Sequence, residues 1–377
     1  MRRILVSLLA FDKGKSGIAD YTVSVCRELS RRHKLDLLIH PSDTAIFPFR
    51  NDNLTFRLVP EYLKPALLST LWHLYILPWV MQAKRYDLIL LPAGNRRLLA
   101  RYPQQTVVTF HDLAQYHVPD RYDRWRMFYV KHIVPHYLRR APHIMAISEN
   151  TKNDLIKYYY LPPQLITVNY NGFDPEKIRL QVSEQEMRSH YHLDKPYFYY
   201  NSRIEHPVKN HLHLIRAFEL IPDEIRDNFD LVFTGLDWHG SEVIHEYLEQ
   251  SPARQNVRFL GEAESKYLGA LYHYAYIYVF PSLYEGFGIP LLEAMASGAP
   301  VLCSNRSALP EIGGDAVLTF DPEMHADIAA KLIHLIKNPE QRAEMSRRGL
   351  QQCRLFSWQR HVQILLALAG ISEPEQT

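Results

Sequence analysis

Short apolar runs alternate along the chain with amphipathic stretches of helical length. Residues 4–9 form the first run, and 18–29 follow with Ile18, Tyr21, Val25 and Leu29 on one stripe, the spacing of a helix. The runs at 35–39, 87–91, 106–110 and 144–147 read as strands of a parallel sheet covered on both faces. Ser148 stands where it would cap a helix over 149–158. The pattern lapses over 169–196, where Asn171-Gly172-Phe173-Asp174-Pro175 is turn chemistry and a polar stretch follows. It resumes with strands at 197–201, 231–234, 257–260 and 277–280 and helices at 211–220 and 266–274. The prediction is α/β, two doubly wound domains: residues 1–172, a linker at 173–196, and 197–355. Two such domains in tandem make a cleft, and ligands bind beyond the carboxyl ends of the strands.

The 377 residues are 47% hydrophobic and 22% charged, which excludes a disordered, collagen-like or disulfide-scaffold chain and suits two cores. Cys26, Cys303 and Cys353 are far apart and odd in number, so neither a disulfide framework nor a zinc site is indicated. The first apolar run passes straight into Phe11-Asp12-Lys13 without a small-residue cleavage site, so no signal peptide is read and a cytoplasmic location is expected. The net charge of +2 hides an asymmetry: residues 1–170 hold 24 Lys+Arg against 13 Asp+Glu, and the remainder 19 against 28. The first half, at +11, would attract something anionic. Residues 63–83 are rich in Leu, Trp and Tyr, but Pro65, His73 and Pro78 interrupt them, so a buried or interfacial helix is expected rather than a span. Arg96, Arg97, Arg101, Arg121, Arg124, Arg126, Lys131, Arg139 and Arg140 would complement such a helix on an anionic membrane surface; solvated arginines on ordinary helices are the alternative.

Candidate chemistry sits at the predicted strand ends. Lys13-Gly14-Lys15-Ser16-Gly17 follows the first strand; a phosphate-binding P-loop would need glycine where Leu9 stands, leaving a two-glycine turn close to a ligand or a plain tight turn. His111-Asp112 follows the run 106–110, and a histidine there is a hydrogen-bond donor or proton carrier, or simply structural. In the second half, Glu285-Gly286-Phe287-Gly288-Ile289-Pro290-Leu291-Leu292-Glu293 follows a strand and opens a helix. Pro290 suits a first helical turn, the two glycines admit a ligand to the backbone, and the helix start near Leu291 and Leu292 fits a phosphate. Glu285 and Glu293 flank that anion site and would accept hydrogen bonds from sugar or ribose hydroxyls. Arg203 and Lys209, after the second domain's first strand, supply cations for a diphosphate. No Asp-x-Asp occurs, so a carboxylate-held metal is not indicated and no cofactor is expected.

The Glu285-x7-Glu293 motif, with Gly298, Pro300 and Pro310-Glu311 after it, resembles the retaining family-4 glycosyltransferases. Arg203…Lys209, Asn171-Gly172-Phe173-Asp174 and Ala146-Ile147-Ser148-Glu149 also match that family's pattern, and the similarity covers nearly the whole chain. The resemblance implies a GT-B fold, two Rossmann-like domains facing a central cleft, with the 356–377 segment returning to the first domain. It implies that Glu285 holds donor-sugar hydroxyls beside the Gly286, Phe287, Gly288 and Ile289 backbone. Glu293 would bind ribose, Arg203 and Lys209 the diphosphate, Gly17 would lie near it, and His111 would contact the donor sugar. Gly235, Leu260 and Gly261 would lie near the base. Ser202 and Asn210 stand where the family commonly has glycine. The resulting expectation is a metal-independent retaining hexosyltransferase, mannosyl by preference. It would use a nucleotide sugar such as GDP-mannose and a saccharide or lipid-linked saccharide acceptor, in polysaccharide or lipopolysaccharide biosynthesis. A nucleotide-sugar hydrolase or epimerase, a nucleic-acid-binding protein and a catalytically silent subunit are the alternatives; no nucleic-acid recognition motif supports the second.

Overall fold

The N-terminal apolar run becomes β1 (Arg3–Ser7), one of seven parallel strands in the first sheet. The others are β2 (Lys34–Ile39), β3 (Leu54–Leu58), β4 (Leu88–Leu91), β5 (Thr106–Phe110), β6 (His143–Ala146) and β7 (Ile166–Val168). Their order is β3-β2-β1-β4-β5-β6-β7, so the winding reverses between β1 and β4. The computed structural model describes residues 1–11, 14, 16–118 and 122–372; Asp12, Lys13, Lys15 and Arg121, named above, lie outside the described residues.

Successive side chains leave a strand on opposite faces, and both faces here are apolar because both are covered. Leu5, Ile89, Leu91, Val108 and Phe110 enter one core; Ile4, Val6, Leu88, Leu90 and Val107 enter the other. The helix Gly17–Ser30, capped by Ser16, lays Tyr21, Val25 and Leu29 on the second core. The helix Trp358–Leu368 joins it there with Val362, Leu365 and Leu366. A Cβ on Gly172 would stand 2.2 Å from the Trp358 nitrogen, so that crossing requires glycine. Ser148 caps the helix Glu149–Tyr159 as expected, accepting from the Thr151 amide.

The opposite face is covered by two broken helices, Ala66–Leu71 continuing to Val80 and Arg124–Phe128 continuing to Leu138. Each contains a π turn, with Leu77 N donating to Trp72 O and Val134 N to Tyr129 O. Pro78 and Pro135 follow those donors directly. A proline inside a helix lacks its N–H and crowds the carbonyl four residues back, and widening the preceding turn relieves that crowding. Residues 63–83 thus form a half-buried, interrupted helix.

The second sheet holds β8 (Tyr197–Asn201), β9 (Asp230–Thr234), β10 (Val257–Phe259), β11 (Ile277–Phe280), β12 (Val301–Ser304) and β13 (Val317–Phe320). All pairs are parallel, in the order β10-β9-β8-β11-β12-β13, and the winding reverses between β8 and β11. The chain divides into two compact units, Met1–Gly172 with Ser357–Thr377, and Phe173–Phe356. The stretch 173–196 differs from the expected polar linker. It carries the Ser183-capped helix Glu184–Tyr191 and buries Ile178, Val182, Met187 and Leu193 within the second unit. Its sparse apolar positions are those anchors, and the rest faces water.

Candidate active site

In a doubly wound sheet the crevice opens where the strand order reverses, because the two loops leaving adjacent strands diverge to opposite faces. In the second unit those loops are 202–210 after β8 and 281–288 after β11. Arg203, Lys209 and Glu285 lie in these two loops, and backbone and side-chain bonds tie the loops together. Leu283 N donates to Val208 O at 2.9 Å. Tyr200, on β8, reaches Ser282 Oγ at 3.0 Å and donates to Lys209 O at 3.1 Å. Asn210 adopts φ 61°, a conformation that asparagine tolerates, and its amide donates to Pro281 O at 3.0 Å and Pro322 O at 2.7 Å. The asparagine found where glycine was expected therefore supplies both the backbone turn and a cross-link.

Lys209 Nζ meets Glu285 Oε1 at 2.6 Å, with side chains only 16% and 15% exposed. Cation and carboxylate thus hold each other at the switch point. Glu285 is fixed further by its amide, which donates to Ser307 Oγ at 2.9 Å. Gly288, at φ 95°, starts the helix Ile289–Ala296, and a Cβ there would lie 2.7 Å from Leu309 Cδ2. The helix start near Leu291 differs in detail from expectation, since the Leu291 amide is taken by Gly288 O at 3.0 Å. Gly286 and Ile289 are half-buried and Phe287 is buried in this turn, with Pro290 in the first helical turn.

Glu293 is buried one turn into the helix. Its Oε2 accepts from Tyr272 OH at 2.9 Å, which accepts from Asn201 Nδ2 at 3.0 Å; Asn201 Oδ1 accepts from Thr234 Oγ1 at 3.0 Å. Burial, reinforced by Glu293, keeps Tyr272 well above the ordinary phenol range, so it remains a donor to the carboxylate. Arg203 lies in the same loop as Lys209, 3.6 Å from the buried Glu205 and 5.2 Å from the ring centre of the exposed Trp238. His211, beneath Lys209, is pushed down to about 3 by burial and by the lysine, and remains neutral.

The expected base region is one node of the backbone. Gly235 N donates to Gly261 O at 2.7 Å, and a Cβ on Gly235 would lie 1.9 Å from Ser202 O. Leu260 N extends the β9 ladder by donating to Phe233 O at 2.9 Å. The loops after β8, β9 and β10 therefore converge.

His111 and Gly17 belong to the first unit. His111 follows β5 and is buried; its Nε2 donates to Pro92 O at 2.7 Å, which leaves Nδ1 as the acceptor nitrogen. Burial lowers its pKa, so the ring is neutral. Its edge meets Tyr21 with ring centres 4.7 Å apart, and Tyr21 OH contacts Thr109 Oγ1 at 3.0 Å and His361 Nε2 at 2.9 Å. His361 Nδ1 bonds Tyr170 O, which makes Nε2 the acceptor of the tyrosine proton. Gly17 opens the helix that carries Tyr21 and is exposed. Sequence reasoning missed Tyr272, Asn201, Trp238, Tyr21 and His361. Only the tyrosine-rich run Tyr197-Phe198-Tyr199-Tyr200-Asn201 signals in the sequence that a polar network enters the second core. Among the described residues no group of three His, Cys, Asp or Glu stands close enough to hold a metal ion.

Two family descriptions match the chain: "Glycosyl transferases group 1" over residues 182–352 and "Glycosyltransferase Family 4" over 15–177. The O-antigen chain mannosyltransferase B of Escherichia coli is 31% identical over 258 residues, 68% of this chain and 68% of that protein. The serotype-specific mannosyltransferase WbdA of Escherichia coli is 29% identical over 282 residues, 71% of this chain but 33% of that protein. Among solved structures, Anabaena HepE in complex with UDP superposes with a TM-score of 0.73 at 17% identity, covering 98% of this chain and 100% of that one. That likeness shows the fold, GT-B.

Proposed function

Since the chain belongs to the group 1 and family 4 glycosyltransferases, we propose that it transfers a mannosyl group from a nucleoside diphosphate sugar, GDP-mannose being the donor expected, to a saccharide or lipid-linked saccharide in polysaccharide biosynthesis. The O-antigen mannosyltransferases among its relatives support the sugar. One observation carries the chemistry: Lys209 and Glu285 stand 2.6 Å apart at the switch point, beside the Gly288–Pro290 helix start.

A diphosphate entering there draws Lys209 away from Glu285. The ammonium and the Arg203 guanidinium then face phosphate oxygens, and the freed carboxylate faces sugar hydroxyls. Glu293 takes the ribose hydroxyls, with Tyr272 holding it in place. Gly235, Leu260 and Gly261 lie by the base. The bond from the anomeric carbon to the diphosphate breaks, and the acceptor oxygen bonds that carbon from the same face. Its proton passes to the departing phosphate, which gives retention of configuration. The two cations take the leaving charge, so no metal is required and chelation leaves the rate unchanged.

The test is a thermal-shift panel with GDP, UDP, ADP and TDP followed by transfer assays. Because a ligand that binds the native state raises its melting temperature, GDP is expected to give the largest shift and GDP-mannose to be consumed only with acceptor present. Turnover without acceptor would favour the hydrolase or epimerase reading, and no shift with any nucleotide would end the donor-site reading.

A further inference from the structure

In the donor site proposed above, the two cations of one loop are held in different ways. Lys209 is locked by a carboxylate that an incoming diphosphate must displace. Arg203 has a side chain 46% exposed, and its Nη2 stands 3.6 Å from Glu205 Oε2, longer than a hydrogen bond. What lies against it is a ring. The guanidinium carbon sits over Trp238, 5.2 Å from the ring centre, within the range of a cation–π contact.

The backbone builds this contact. Beyond β8 and β9 the two chains run on side by side: Ile204 N donates to Leu236 O and Trp238 N to Ile204 O, both at 2.9 Å. Ile204 pairs with Asp237 in a parallel bridge, and its burial fixes the register. Side chains alternate across paired extended segments. Arg203 and Glu205, on either side of Ile204, therefore leave on the same face as Leu236 and Trp238, on either side of Asp237. Trp238 is 52% exposed, so a place in the core does not account for it.

A carboxylate holds a guanidinium by its N–H edge, whereas a ring holds it by its face. The ring thus restrains Arg203 without occupying the N–H groups that a phosphate needs. Resting on the donor reading, we propose that Trp238 is a positioning residue for the diphosphate: it holds Arg203 face-on so that the free N–H edge meets the phosphate oxygens. An arginine already confined to that direction loses less freedom when the ligand arrives, and binding is tighter for it.

The experiment is titration calorimetry of the full chain with GDP and with UDP, continued on variants with whichever wild-type protein binds more tightly. Trp238→Leu keeps an apolar side chain but no ring face. It is expected to weaken binding about two- to fivefold, the strength of an exposed cation–π contact, and Trp238→Phe should recover most of that loss. In a chain already carrying Arg203→Met, Trp238→Leu should cost nothing further, because the ring then has no cation to hold. A ring that stacked on the base instead would show the same loss in both backgrounds. Nuclear magnetic resonance of the ligand-free protein gives a second readout: the Arg203 side-chain protons, shielded by the indole face, should move downfield in Trp238→Leu. Circular dichroism checks that the variants fold. Equal affinity of wild type and Trp238→Leu, no recovery with Trp238→Phe, an undiminished loss beside Arg203→Met, or unmoved Arg203 resonances would each overturn the inference while leaving the donor site standing. Wild-type protein that binds neither diphosphate would instead overturn the donor reading, and the inference with it.

Discussion

Lys209 and Glu285 satisfy each other in a largely buried position, so removing either leaves a charge without its partner. Lys209→Ala and Glu285→Ala are each expected to cut transfer by at least about 10²-fold, the scale on which a preorganised charge at a departing group acts, with the fold retained by circular dichroism. Near-wild-type transfer by Lys209→Ala would remove the phosphate argument. Tyr272 acts through another residue. Tyr272→Phe deletes the hydrogen bond to Glu293, about 1.5–3 kcal/mol for a bond to a carboxylate, together with the one accepted from Asn201, and should raise the donor KM by at least about tenfold with little change in kcat. A change confined to kcat, with KM constant, would contradict that positioning role. At this scale the motif residues are legible because their chemistry is local: glycine, proline and glutamate in one short run describe a helix start and its flanking acids. Tyr272 and Asn201 are not legible, since 71 residues separate them and only the packing of a helix on β8 brings phenol and amide together.

Among the elements, the order of the strands decides which loops meet, and Gly235, between the loops after the neighbouring β8 and β9, shows how closely. Its φ of 136° and the 1.9 Å from a Cβ to Ser202 O mean that Gly235→Ala must push apart the loops after β8 and β9. The expected outcome is a loss of about 2–3 kcal/mol in denaturant unfolding together with weakened nucleotide binding; a variant as stable as wild type would show that the loops can yield. The long apolar strands were legible from the sequence. The strands at 54–58, 166–168, 301–304 and 317–320 were not, because each is three to five residues long and three of them lie at sheet edges with most of their side chains outside the core. The stretch 173–196 misled for the opposite reason: the helix Glu184–Tyr191 buries only Met187, so its sequence resembles a loop. Pro78 and Pro135 signalled interruption correctly, but whether a helix stops or widens into a π turn depends on the sheet beneath it.

For the molecule as a whole, three buried histidines set an acid limit. Burial lowers His73 and His211 to about 3 and His361 to about 4, against 6.5 for the free side chain. Above pH 6.5 both folded and unfolded chains keep these rings neutral, and they contribute no pH dependence. Below it the unfolded chain takes up protons that the folded chain refuses, so stability falls by up to about 1.4 kcal/mol per pH unit for each histidine, until the folded values are reached. The melting temperature should therefore be level from about pH 8 to 7 and decline between about 6.5 and 5, a window above the carboxylate range. A melting temperature unchanged down to pH 5 would contradict neutral burial. The division of charge, +11 before residue 171 and −9 after it, was visible from counting alone.

The first unit is assembled from both ends of the described chain, with the whole second unit inserted between them. During synthesis, residues 173–356 can complete their own sheet as soon as they leave the ribosome. The earlier strands must wait for Val362, Leu365 and Leu366, with the groove over Tyr21 and Val25 open to water until then. The first unit therefore waits through the synthesis of residues 173–356, roughly half of elongation, with that apolar groove uncovered, and that interval is when a chaperone would be needed most.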